Sequence, residues 1–471
     1  MGKAFRVATV GAGISGLATA YFLEKESRQR GLEMELTILE RGDRLGGVIR
    51  TEKRDDLLLE WGPENFVGFK PGMLEFIHQI GLSSEVIGCN ENRRRTFVVE
   101  KGSLQALPAG MAFLSPVDLR SFWSSSLIST SGKLRALLEP FIRPSRGDLS
   151  VYAFLERRLG RELTEKVGEP LVSAIYGGDI RKLSLASALP DTYHLEQKFG
   201  SLWRGTRARK RGQGPSTRPF FLTLRGGMSR LVQGLVARLG ESRIEKGTGD
   251  TRIARDSYSY RVEGPHFEGA FDAVILATPA HAAAKILQTL IPEAAETLRA
   301  IPYSSITLVY LAYDRTRFSH PLDGFGFVMP HKEAKVLDAC TWVSSKFEGR
   351  CPSDKVLLRC AIHDGRTARI PKSDEITAGE VHREVKRILG FSGEPVLFGV
   401  EHVPRAMPQL NVRHSRCLDR IERSLARCPG LFMAGAYSNG IGIPDCVATA
   451  HRTAAQVIRF LEGRPPDQPG S

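Results

Sequence analysis

Long apolar runs, paired cysteines and internal repeats are all missing from this chain of 471 residues. No stretch reaches the ~18 uninterrupted apolar residues of a membrane span, so membrane contact is expected only at the face of a bilayer. The seven cysteines, at positions 89, 340, 351, 360, 417, 428 and 446, include no Cys-x-x-Cys pair. An odd, scattered set does not make a disulfide framework and fits free thiols in a reducing cytoplasm. The eleven histidines show no metal-ligand spacing, so no metal is expected. An apolar fraction of 42% and a charged fraction of 25% exclude disorder, collagen and coiled coil as the main organisation. What the chain has in excess is positive charge: 66 Lys+Arg against 52 Asp+Glu, a net +14. Such a balance concerns partners, not fold, and leaves nucleic acid, an anionic membrane or a polycarboxylate substrate to be separated.

The first residues look superficially like a signal peptide, from Val7 to Leu23. Three glycines and the run Glu24-Lys25-Glu26 mark them instead as the start of the fold. Phe5–Val10 is an apolar run suited to a buried parallel strand. Gly11-Ala12-Gly13-Ile14-Ser15-Gly16 follows, then helical spacing through Leu23, then a strand, Leu36–Leu39, ending in Glu40. Each part has a mechanical reason. Gly11 permits the tight turn, Gly13 lets backbone approach a pyrophosphate, and Gly16 lets helix pack on sheet. The helix N-terminus faces phosphate, and Glu40 accepts from a ribose hydroxyl. The spacing predicts a dinucleotide site. It does not separate NAD from FAD; Arg41, Arg44, Gly46-Gly47-Val48 and Gly62-Pro63-Glu64-Asn65, placed just beyond the acid, favour FAD.

These segments, with Glu169–Asp179, Ala277-Thr278-Pro279, Gly324–Phe327, Met407-Pro408-Gln409 and Gly440–Cys446, resemble the FAD-dependent protoporphyrinogen/coproporphyrinogen oxidases of haem biosynthesis. Glu64, Thr96 and Pro444 resemble the branch, known from Gram-positive bacteria, that acts on coproporphyrinogen III. The pattern departs from the family at Ala174, Gly177 and Leu410. The resemblance implies an α/β fold: a Rossmann-like FAD-binding domain of the amine-oxidase/p-hydroxybenzoate-hydroxylase type, a mixed-sheet substrate domain and a helical domain. The expected spans are 1–60, 217–290 and 428–471 for FAD, 110–206 for the helices, and 61–109 with 291–427 for the substrate.

It further implies an oxidoreductase acting on CH–CH groups. Six hydrogens would leave a porphyrinogen, with oxygen as acceptor and hydrogen peroxide released. Non-covalent FAD would carry the hard step, so no catalytic residue beyond the flavin is expected. Asp250 stands beside the adenine, and Ile441, Gly442 and Ile443 stand in a loop before a helix whose N-terminus would raise the electron affinity of the ring. Asp445 there is read as a helix N-cap or a flavin-side hydrogen-bond partner. Lys70 is the first choice for a propionate partner, ahead of Arg93-Arg94-Arg95 and Arg204. Tyr176, Phe325 and Val328 are candidates for the apolar floor of the substrate site.

Arg204–Arg211 places five cations in eight residues and, with Gly212, Gly214 and Pro215 behind it, is read as a loop. No nucleic-acid module accompanies it, so nucleic acid is not an expected partner. Leu114–Arg143 interleaves apolar residues with Arg120, Lys133 and Arg135. It suits either a membrane-facing surface or a buried helical subdomain. The expected location is cytoplasmic, with peripheral contact on the inner face of the cell membrane and hand-over of product to the next haem-pathway enzyme. A protoporphyrinogen IX oxidase of the same family is the alternative; an amine or carotenoid oxidase and a non-catalytic porphyrin-binding flavoprotein are the further readings.

Overall fold

Strand β1 (Phe5–Val10) runs straight into the glycine turn and helix α1 (Ile14–Arg30), which Gly31 ends in the left-handed conformation. Strand β2 (Met34–Leu39) then returns parallel to β1. In this computed structural model, residues 4–108, 111–112, 115–116, 118–212, 219–240, 242–257, 259–363 and 373–463 are described. The parallel sheet is completed by distant pieces of chain. Its order is Arg243–Glu245, β2, β1, Ala273–Leu276, Leu431–Met433. Helix α1 is wedged between this sheet and the C-terminal helix (Ile443–Glu462), so Leu17, Ala18, Ala20 and Leu23 are wholly buried. Small residues on α1 permit that double contact.

A second, seven-stranded mixed sheet is built from residues 96–106 and 303–408. Its long central strands, Tyr303–Asp314 and Lys355–His363, pair antiparallel, while Gly326–Val328 lies parallel to Thr96–Glu100. The β-branched and aromatic residues of these strands suit burial on both faces. Against it stands a helical layer that includes Val151–Leu159, Glu169–Tyr176 and Pro190–Phe199. One buried arginine ties that layer together. Arg158 donates to Glu196 at 2.8 and 2.5 Å and to Glu139 at 2.9 Å. Glu139 also accepts from Ser201 Oγ and the Leu202 N–H, and Glu196 accepts from the Ser145 N–H.

The basic segment is helical, contrary to the loop reading. Residues Leu202–Gly212 form a helix, and the Ser201 hydroxyl accepts from the Arg204 N–H as its cap. Leu202 and Gly205 bury one face, leaving Arg204, Arg207, Arg209 and Arg211 exposed. Glycine and proline beyond position 211 had outweighed a cap three residues upstream; Gly214 and Pro215 lie outside the described residues.

The Leu114–Arg143 stretch divides its residues between two environments, and its first residue, with Phe113, lies outside the described residues. Phe122, Leu127, Ile128 and Ala136 are buried, whereas Leu119, Trp123, Leu134, Leu138 and Phe141 are exposed, Phe141 by 80%. Two of the interleaved cations point inward. Lys133 donates to the Trp123 carbonyl, and Arg135 to the carbonyls of Arg157 and Arg158. No helix among the described residues is long and apolar enough to cross a membrane.

Candidate active site

The glycine turn has the geometry that its spacing demands. Gly11 has φ +101°, which only glycine adopts freely, and a Cβ on Gly16 would lie 1.8 Å from the Gly11 carbonyl oxygen. Gly13 is the N-cap of α1 and supplies no side chain to its first N–H groups, which are left for an anion. The second glycine pair closes over the first. Gly13 bridges to Gly46, whose N–H donates to the Ala12 carbonyl at 2.8 Å, and a Cβ on Gly47 would stand 3.2 Å from Gly13 Cα.

Glu40 Oε2 accepts the Ala12 N–H at 2.9 Å and Oε1 accepts the Gly42 N–H at 3.1 Å. That fixes the carboxylate at the end of β2 and leaves lone pairs for a ribose hydroxyl. Arg44 donates to the Ile49 carbonyl, shaping the loop around Gly46-Gly47 and the half-exposed Val48. A Cβ on Gly62 would meet the Val48 carbonyl at 1.9 Å, so the Gly62–Asn65 turn packs directly on that loop. Arg41 and Asp250 form a mostly exposed ion pair at 3.6 Å beside the loop that follows Arg243–Glu245. Ile14 and Ser15 are buried at the start of α1.

Sequence reasoning gave Thr278 no role. Its methyl group faces Gly11, 3.1 Å from where a Cβ would stand, and its buried hydroxyl has no partner among the described residues. The Ala277-Thr278-Pro279 motif carried the signal. These uncapped N–H groups, facing glycines and an orphaned hydroxyl fit the adenosine diphosphate portion of FAD.

At the far end, Gly442 caps the C-terminal helix without a side-chain bond, and Pro444 occupies its first turn. Asp445 is therefore not the N-cap. It sits in the first turn and binds Lys70, Oδ1 to Nζ, at 2.7 Å, with both side chains about three-quarters buried. Lys70 thus stands beside the Ile441–Ile443 loop already paired. Ile443 packs into the core around α1, while Ile441 touches the cluster that holds Tyr176 and Val328.

Tyr176 and Val328 lie in one apolar cluster. The Tyr176 hydroxyl donates to the Ala188 carbonyl, and burial pushes its ionisation well above the ordinary range. Its own carbonyl accepts from Gln409 Nε2 at 2.8 Å and Ser304 Oγ at 3.1 Å, which fixes the helix end beside the sheet. Phe325 belongs elsewhere, to a small cluster with Cys89 and Phe347. Arg93, Arg94, Arg95 and Arg204 are surface residues; Arg94 pairs with Glu91 and Arg95 with Asp323.

Behind the Gly62–Asn65 turn lies a buried charge cluster that the sequence did not reveal. Lys346 binds Glu64, and Arg359 donates to the carbonyls of Gly62, at 2.7 Å, and Glu60. Arg350 donates to Thr223 Oγ1 and the Leu224 carbonyl. Glu60 accepts from the Met228 N–H and Thr51 Oγ1, and burial pushes its carboxyl up to about 7 despite Arg350 and Arg359.

Similarity to known proteins extends over nearly the whole chain. The coproporphyrinogen III oxidase of Bacillus subtilis is 32% identical, the match covering 97% of this chain and 98% of that protein. The mitochondrial protoporphyrinogen oxidase of Nicotiana tabacum is 28% identical, over 98% of this chain and 96% of its own. A crystal structure from Exiguobacterium sp. 255-15, also bearing a protoporphyrinogen oxidase name, superposes with a TM-score of 0.86 at 30% identity and covers 98% of this chain and 100% of its own. The flavin containing amine oxidoreductase family matches residues 14–458. From turn to C-terminal helix, the chain belongs to that family of flavoproteins, and its cofactor is FAD.

Proposed function

We propose that this chain oxidises coproporphyrinogen III to coproporphyrin III in haem biosynthesis. Three molecules of oxygen would take up the six hydrogens as three of hydrogen peroxide. The observation that carries the reading is the end-to-end match to the Bacillus subtilis enzyme, with the dinucleotide turn intact. When bound, FAD supplies the two-electron oxidation of each step. The chain's own residues bind and orient. Tyr176, Val328 and Ile441 offer an apolar surface to the macrocycle, and Lys70 offers a cation beside it. The open N-terminus of the C-terminal helix directs its positive end toward the same place.

The decisive experiment compares rates with coproporphyrinogen III and protoporphyrinogen IX on one preparation, read by porphyrin fluorescence and oxygen uptake. The four-carboxylate substrate should be used faster. Yellow protein that oxidises neither substrate would overturn the reading; a preference for the two-carboxylate substrate would move it to the other branch.

The finer part of the reading is a peripheral contact with anionic membrane. Its support is the exposed set Leu119, Trp123, Leu134, Leu138 and Phe141 beside a helix with four exposed arginines. Flotation with anionic vesicles, absent with neutral ones, tests it. Hand-over of the porphyrin to the following haem-pathway enzyme also belongs to this reading, and transfer rates with and without that enzyme's presence would check it.

A further inference from the structure

Lys346 is a lysine almost without solvent, at 6% exposure. Its ammonium lies over the rings of Phe221, at 4.5 Å, Phe347, at 5.3 Å, and Phe325, at 6.0 Å. Its remaining partner is Glu64, itself 9% exposed and also accepting from Asn65 Nδ2 at 3.0 Å. The two residues are 282 positions apart. Around them the turn and the residue that leads into it are held from behind at several backbone groups. Arg359 takes the Gly62 and Glu60 carbonyls, Thr223 Oγ1 takes the Glu64 carbonyl, and the Tyr310 hydroxyl bonds to both backbone groups of Glu60. The Lys346 carbonyl accepts from the Asn90 N–H, which fixes the base of the lysine as well.

We propose that Lys346 is a positioning residue for the Gly62–Asn65 turn, pinning the Glu64 carboxylate and cancelling its charge behind the face presented to the flavin. This rests on the reading that the turn faces the flavin. A buried ammonium needs a reason, because aromatic faces and a single carboxylate only just offset its lost hydration. The reason here is Glu64. Burial works against its charge, and Lys346, Arg359 and Arg350 together overcome it, holding the carboxyl below its ordinary range. Without Lys346, a Glu64 carboxylate still ionised at the alkaline pH of the test would oppose the arrival of electrons nearby. Without Glu64 the lysine's charge would favour it.

The test is the midpoint potential of the FAD-loaded protein at pH 8.5 for Lys346→Met, Glu64→Gln and the double variant. Lys346→Met should shift the oxidised-to-reduced equilibrium tenfold toward oxidised, about 30 mV lower for a two-electron couple. Glu64→Gln should move it by a similar factor in the opposite direction, and the double variant should return near the wild-type value. Opposite signs distinguish charge cancellation from loose packing, which would move both variants the same way and overturn the proposal. A potential that moves with Glu64→Gln but not with Lys346→Met also overturns it. If neither single variant shifts a flavin that both retain, the turn does not face the flavin, and the underlying reading fails instead. Should Lys346→Met fail to fold, Glu64→Gln and the double variant still decide: the first must raise the potential and the second must bring it back.

Discussion

Two buried ion networks stand in different parts of this molecule, and they are balanced differently. In the helical layer two arginines meet two carboxylates: Arg158 binds Glu139 and Glu196, Arg157 stands 3.6 Å from Glu196, and donors from Ser145, Ser201 and Leu202 add to the carboxylates' bonds. Behind the Gly62–Asn65 turn, three cations meet two carboxylates, one of which burial drives toward its neutral form. Each network keeps one arginine nitrogen without a hydrogen-bond partner among the described residues, Arg157 Nη1 in the first and Arg350 Nη1 in the second. A network whose charges balance acts as a staple. One with cations in excess keeps a positive potential around the turn it supports. The first ties helices together; the second leaves a net charge beside the turn.

The sharpest way to break this contrast is to remove the staple. Arg158→Met leaves Glu139 buried without its cation and Glu196 with only the partly exposed Arg157, and should cost about 3–5 kcal/mol in urea unfolding. The flavin potential of the folded fraction should not move. A loss below 1 kcal/mol would show that the helices do not depend on the arginine.

Next comes Glu60. A carboxyl whose folded value, about 7, lies above its ordinary 4.5 contributes stability that is complete at low pH and lost as pH rises through 7. The difference amounts to about 3 kcal/mol at pH 8. Glu60→Gln should therefore flatten the fall in stability between pH 5 and 8, seen by thermal unfolding across that range. Parallel curves for both proteins would place the titration elsewhere.

The smallest effect on stability is expected at Lys70–Asp445, a pair only partly shielded from water. Lys70→Ala should change unfolding by less than about 1 kcal/mol. It should lower kcat/KM several-fold more for the four-carboxylate substrate than for the two-carboxylate one. Equal kcat/KM values before and after would remove Lys70 from the substrate.

What the sequence made legible was local. The glycine turn, Glu40 and the Gly46-Gly47 pair lie within about one supersecondary unit, and each residue type answers a nearby steric or hydrogen-bonding demand. The strand before the last helix and the helix itself were legible for the same reason: an apolar run, then glycines, then helical spacing. Lys346, Arg350 and Arg359 were not. Their partners lie 126 to 299 positions away, and a lysine read alone is taken for surface. Lys70 and Asp445 were each singled out, but as separate candidates; only the fold across 375 positions makes them a pair. The basic helix was misjudged because Ser201, its cap, lies outside the charged run that drew attention.

The parallel sheet has a consequence in time. Strand β1 has one neighbour, β2, within reach, but the other comes much later: Arg6 donates to Asp272, 266 residues along. At about 5–20 residues per second, synthesis leaves that edge of β1 open for roughly ten to fifty seconds. The wait for Leu431–Met433 and the final helix is longer still. A growing chain of this design carries its glycine turn early and cannot complete the parallel sheet around it until its last strand has emerged.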